Sequence, residues 1–146
     1  MSLSRRVARP LLASIFLAGG LDAARNPAGK AAAAEKVLGP LKSAGLPGET
    51  EQHIRLNGVV QVGAGALLAA GRLPRLAAAV LACSLIPTTA AGHRFWELND
   101  PASRAQQRTH FLKNLGLLGG LILAVFDTGG RRSASKGHPK VASLTP

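Results

Sequence analysis

The chain has 146 residues, 47% apolar and only 17% charged, and its 18 Lys and Arg outnumber 7 Asp and Glu for a formal net charge of +11. That length bounds it at one domain with tails, too apolar for a disordered polymer and too poor in charge for an ordinary soluble domain. With no Tyr, four Phe and one Trp, few rings exist for bases to stack on, so the basic excess points to an anionic membrane surface and not to nucleic acid.

Charged side chains are missing from four stretches, 10–21, 56–71, 76–92 and 114–126, which run to 12, 16, 17 and 13 residues. Each falls short of the roughly 20 apolar residues of a plain spanning helix. Basic residues stand at their ends: Arg9 before the first, Arg55 and Arg72 around the second, Arg75 and Arg94 around the third, Lys113 before the fourth. Such long side chains reach from the lipid to the interface, which extends the spans to about 7–24, 55–71, 75–92 and 111–126. The expected fold class is therefore all-α, with four transmembrane helices in an antiparallel bundle making one domain over residues 1–127.

In chain order, Ser4-Arg5-Arg6 ahead of the first apolar run resembles a twin-arginine export signal, with Ala18-Gly19-Gly20 as a small-residue cleavage site. Against that reading, Ala8-Arg9 stands where such signals carry bulky apolar residues, and three more apolar stretches follow. After the first span, residues 30–41 are rich in Ala and charge and predict a helix on the outer side that ends before Pro40; Leu46-Pro47-Gly48 then turns. Arg72-Leu73-Pro74-Arg75 joins the middle spans in four residues, which demands a tight antiparallel hairpin. Pro87 predicts a kink in the third span, with Thr88 and Thr89 placed to satisfy freed carbonyls.

The only cysteine, Cys83, excludes an internal disulfide, a CxxC pair and a thiolate cluster; within the third span it reads as a small packing residue. Gly19-Gly20, Gly63, Gly65 and the GxxxG pair Gly116 and Gly120 predict close helix packing in lipid. Asp127 ends the last helix and is expected to pair with Arg131 or with the 72–75 loop. The remainder, 128–146, reads as a disordered basic tail.

Four spans place both termini and the 72–75 loop on one side. The two sides carry equal numbers of Lys and Arg, but those beside the termini and the short loop are packed more densely, which favours both termini on the inner side. The other side then collects the polar residues at the span ends: Asp22 and Arg25, His93, Arg94 and Trp96, and His110, Lys113 and Asn114. Imidazoles and cations at one face suit the head of a quinone or a small anion. The competing reading makes Arg and Lys interface anchors, Trp96 part of an aromatic belt and the histidines helix caps. No metal spacing, paired carboxylates or phosphate loop accompanies them.

Several pieces resemble the DoxX family of membrane proteins, of the type common in actinobacteria. They are Arg9-Pro10-Leu11-Leu12-Ala13-Ser14-Ile15-Phe16, Leu56-Asn57-Gly58, Gly71-Arg72-Leu73-Pro74-Arg75, His93-Arg94-Phe95-Trp96 and His110-Phe111-Leu112-Lys113-Asn114-Leu115. The resemblance implies a four-helix integral membrane protein of the bacterial cytoplasmic membrane. The family's name comes from a small subunit of a quinol oxidase or thiosulfate–quinone oxidoreductase, and some relatives are tied to oxidative-stress defence. It implies no agreed catalytic set. The expected function is accordingly an accessory subunit of a membrane redox or oxidative-stress system. A quinone binder and a scaffold for soluble partners are the alternatives. The partners would be the bilayer and membrane or soluble redox proteins; quinone is the one cofactor this chemistry admits.

Overall fold

The computed structural model describes residues 3–127; the tail expected over 128–146 lies outside the described residues. The chain forms five α-helices: α1 (Leu3–Arg25), α2 (Ala28–Ser43), α3 (Thr50–Ala69), α4 (Pro74–Gly92) and α5 (Pro101–Phe126). A single 3₁₀ turn, Phe95–Glu97, lies between α4 and α5, and no strand occurs among the described residues. Three stretches, Leu3–Arg25, Pro74–Glu97 and Pro101–Phe126, are long and apolar enough to cross a membrane. The four spans read from the sequence are thus met by three on length and composition. α3 is the exception because Thr50-Glu51-Gln52-His53 opens it and Arg55, Asn57 and Gln61 lie in its body.

Two helix boundaries differ from the sequence reading. α2 does not end before Pro40 but runs through it to Ser43, closing with Ala44 N–H bonds to the Pro40 and Leu41 carbonyls. On this exposed helix the carbonyl that Pro40 frees can meet water, so the missing donor does not stop the chain. α5 starts ten residues before the expected 111, because Asp100 caps it, accepting from Ser103 N–H at 2.8 Å, with Pro101 in its first turn. Its 26 residues extend about 39 Å, so the opening turns overrun a hydrocarbon core of roughly 30 Å.

The hairpin between α3 and α4 is as tight as its four residues demand. Gly71 takes φ 68° and Leu73 is left-handed at φ 48°, an unfavourable backbone for a branched side chain, before Pro74 opens α4. At the other end of α3, Glu49 and Gln52 form a reciprocal capping box. Glu35 of α2 accepts from the Thr50 hydroxyl beside it and pairs with Lys42. The Thr50 bond outweighs burial, which pushes the other way, and with Lys42 adding to it holds the Glu35 carboxyl below its ordinary value.

Packing is densest between α1 and α3. A Cβ on Gly20 would stand 2.7 Å from the Gly58 carbonyl oxygen, and one on Gly58 would stand 2.6 Å from that of Gly20. The backbones therefore touch, which only glycine permits, and dispersion between close backbones is what joins helices in lipid. Gly65 sits against Leu17 in the same seam. The other expected glycines do not pack: Gly19, Gly63 and Gly116 have nothing within 4 Å of an added Cβ, and Gly120 meets only Leu12. The GxxxG pair of α5 thus makes no tight contact in the chain, because α5 lies against α4 on a different face. The core is Ala13, Phe16, Ala64, Leu68, Ala77, Ala78, Leu81, Leu85 and Leu121. Cys83 is exposed on α4 and is not the packing residue expected.

Polar side chains inside the bundle bond to one another. Ser84 Oγ donates to Asn57 Oδ1 at 2.7 Å and accepts from Gln61 Nε2 at 2.8 Å, joining α3 to α4. α4 continues through Pro87, with Thr88 donating to the Ser84 and Leu85 carbonyls. Thr89 does not help there as expected; its Oγ1 accepts instead from Asn114 Nδ2 of α5 at 3.0 Å. Where α1 begins and α5 ends, Arg5 holds both oxygens of Asp127 at 2.8 and 2.9 Å, with Arg9 at 3.5 Å. The 72–75 loop, the expected partner of that carboxylate, meets α5 differently, through Arg75 Nε on the Val125 carbonyl at 2.7 Å.

Gly58→Ala should destabilise the protein by about 1–3 kcal/mol, because backbone and not a flexible side chain must yield. Gly63→Ala, with open space beside it, should be neutral or slightly stabilising; melting in detergent compares the two. For Glu35, a carboxyl lowered in the folded state stabilises above its unfolded value of 4.5 and loses that effect as pH falls through the lower folded one. Melting of the wild type should therefore drop as the solution is acidified below about pH 4.5, and Glu35→Gln should flatten that dependence, as circular dichroism would read.

Candidate functional site at the histidine end of the helices

α4 delivers Thr89 and His93, four residues apart, to the side that faces α5. α5 answers with Gln107, His110, Phe111 and Asn114, which fall at i, i+3, i+4 and i+7 on one helix face. Asn114, one of the expected ligand residues, is buried and has its amide on Thr89. One turn further out, His93 Nδ1 lies 2.7 Å from Gln107 Oε1. An amide oxygen only accepts, so in this pairing Nδ1 carries the proton and donates. The His93 and His110 rings stack at 5.4 Å and 27°. Both are half-buried.

Beside them, Phe95, Trp96 and Phe111 form a three-ring cluster of edge contacts, with centroids 5.1 to 5.9 Å apart. Trp96 remains 51% exposed, which leaves the indole available to lipid or to a partner. Arg94 is turned back onto the fold: Nε donates to the Ala90 carbonyl at 2.8 Å and Nη1 to Glu97 Oε1 at 2.9 Å. Lys36 of α2 takes the other Glu97 oxygen at 2.5 Å, so α2 is tied over the end of α4.

The remaining expected residues stand apart from this group. Asp22 bonds Asn26 and Lys30 and so braces the α1–α2 connection. Arg25 is exposed in the last turn of α1, and Lys113 is exposed on α5. The structure thus gathers His93, His110, Arg94 and Trp96 and adds Gln107, Phe95, Phe111, Glu97 and Lys36. Gln107 was legible at three residues before His110 once α5 is allowed to begin at Asp100-Pro101. Among the described residues, no three His, Cys, Asp or Glu side chains gather as a metal site would require.

The described residues make a helical bundle with three helices long and apolar enough to cross a membrane and a ring-and-imidazole cluster at one end. The family model described as DoxX matches residues 5–94, more than half of the chain, and the chain belongs to the DoxX family. The matched region ends at Arg94, so α1 to α4 and His93 lie within it and α5, with Gln107, His110 and Asn114, lies beyond it. No curated protein and no solved structure matches the chain.

Asn114 and His93 should separate under mutation. Asn114→Leu strands a buried hydroxyl between α4 and α5 and should lower stability by about 1–2 kcal/mol. His93→Ala removes a half-exposed ring whose partner Gln107 can turn to water, and should leave the melting temperature within a degree or two. Paired melting curves in one detergent test both.

Proposed function

We propose that the protein is a four-span protein of the bacterial cytoplasmic membrane that acts as an accessory subunit of a redox system, presenting its histidine end to a redox partner or to the head of a quinone. The observation that carries this reading is the His93–His110 stack beside the exposed Trp96 edge. Imidazole rings can hydrogen-bond and exchange protons with a quinol hydroxyl, and aromatic rings at the boundary favour a flat apolar head. The association of DoxX proteins with quinone-linked oxidoreductases supports the same chemistry.

The fourth span in this reading is α3. Its Asn57 and Gln61 are spent on Ser84 inside the bundle, so lipid does not meet them. Arg55 and Arg72 reach the two interfaces and make up for its short apolar length. Both termini then lie on the cytoplasmic side, where Arg5, Arg6, Arg9, Arg72 and Arg75 concentrate.

Carbonate-washed membranes should retain the protein, and detergent should release it. In a Cys83→Ser background, cysteines added at the two termini should resist an impermeant reagent applied from outside, while one placed at Arg104 should react. Purified protein should carry quinone, or capture a membrane oxidoreductase, and His93→Ala with His110→Ala should lose it while melting stays near wild type. A double variant that retains both would remove the histidine end from the function and leave a scaffold.

A further inference from the structure

At the end opposite the histidines, a groove of about 260 Å³ between α1 and α5 is lined by Ala8, Leu12, Gly120, Leu123 and Ala124, with Arg5, Arg9 and Asp127 at its mouth. We infer that this groove is a binding site for an anionic phospholipid, its phosphate held by the arginines and its upper acyl chain lying against the small and branched side chains below. The inference rests on the membrane reading above.

Three features carry it. The wall is apolar and Leu123 stands 74% exposed, so an acyl chain can lie across it and cover surface. From Gly120 to Asp127 the helix rises about 10 Å, the depth of a glycerol and the first few methylenes. The charge at the mouth is in excess: Arg5, Arg6, Arg9, Arg72 and Arg75 share this end with one acid among the described residues, Asp127. Asp127 orients Arg5 through two bonds and Arg9 is only 13% exposed, so their forks are held at the groove and not swept through solvent. Fixed guanidinium groups at the cytoplasmic edge of a helix pair match a phosphodiester in geometry and in charge.

The test uses the full-length protein, stripped of lipid in a neutral detergent, with phosphatidylglycerol, phosphatidylcholine or inorganic phosphate added. Phosphatidylglycerol should raise the melting temperature saturably, by roughly 5 °C, and phosphatidylcholine and phosphate should not. Arg5→Gln with Arg9→Gln should abolish the rise. Since that pair also leaves Asp127 exposed to loss of its partners, Gly120→Leu serves as the second variant. It fills the groove without touching the ion pair, should fold, and should lose the phosphatidylglycerol response. Equal responses to both lipids, a response to phosphate alone, or a full response in Gly120→Leu would each overturn the site. A protein that needs detergent for extraction yet shows no lipid selectivity would fail here alone, whereas release by carbonate would fail the membrane reading itself.

Discussion

Between Gly20 and Gly58 two helices are in contact through their backbones, with no room for a Cβ on either side. In lipid, apolar side chains gain nothing by leaving one hydrocarbon for another, so close approach of this kind decides which helices adhere. Once α1 and α3 are joined there, the remaining placements follow. The α3–α4 turn is too short to allow anything but a hairpin, and Ser84 secures it by bonding Asn57 and Gln61. Asn114 then draws α5 onto α4 through Thr89. α1 and α5 are joined mainly at their ends, by the Arg5 and Arg9 pairs with Asp127.

The polar side chains divide into two populations by depth. Those within the bundle, Asn57, Gln61, Ser84, Thr89 and Asn114, satisfy one another, and no buried side-chain nitrogen or oxygen among the described residues lacks a partner. Their exchange of bonds is a condition for placing them away from water. Those at the ends are only partly covered, His93 and His110 at one end and Arg5, Arg9 and Asp127 at the other. Function is therefore sought at the two ends of the helices and not midway between them.

The all-helical fold, the short hairpin and the family were legible in the sequence, because charge-free stretches, turn residues and the Arg72-Leu73-Pro74-Arg75 piece are local signals. What escaped was nonlocal. Nothing in a run of glycines tells which will meet another backbone: Gly20 and Gly58 do, while Gly116 points away from every neighbour. Asn114 looked like a ligand residue because polar groups near a span end usually face water, whereas its partner Thr89 lies 25 residues away. Half of the histidine cluster was named at the outset. Gln107 was missed because the Asp100-Pro101 start of α5 was passed over, and Lys36 because no local pattern foretells that α2 folds back to Glu97.

Cys83 gains a meaning from its exposure. It is the only sulfhydryl in the chain, and it looks outward from the middle of α4, nine residues from Pro74 and nine from Gly92. A fluorophore attached there would sit in the acyl region on a rigid helix, clear of both candidate sites. Quenchers brominated at successive carbons of the lipid tail would then read how deep α4 lies, and self-quenching between molecules would read whether two copies share that face. The protein carries a single native depth gauge, set by its own fold halfway along an apolar helix.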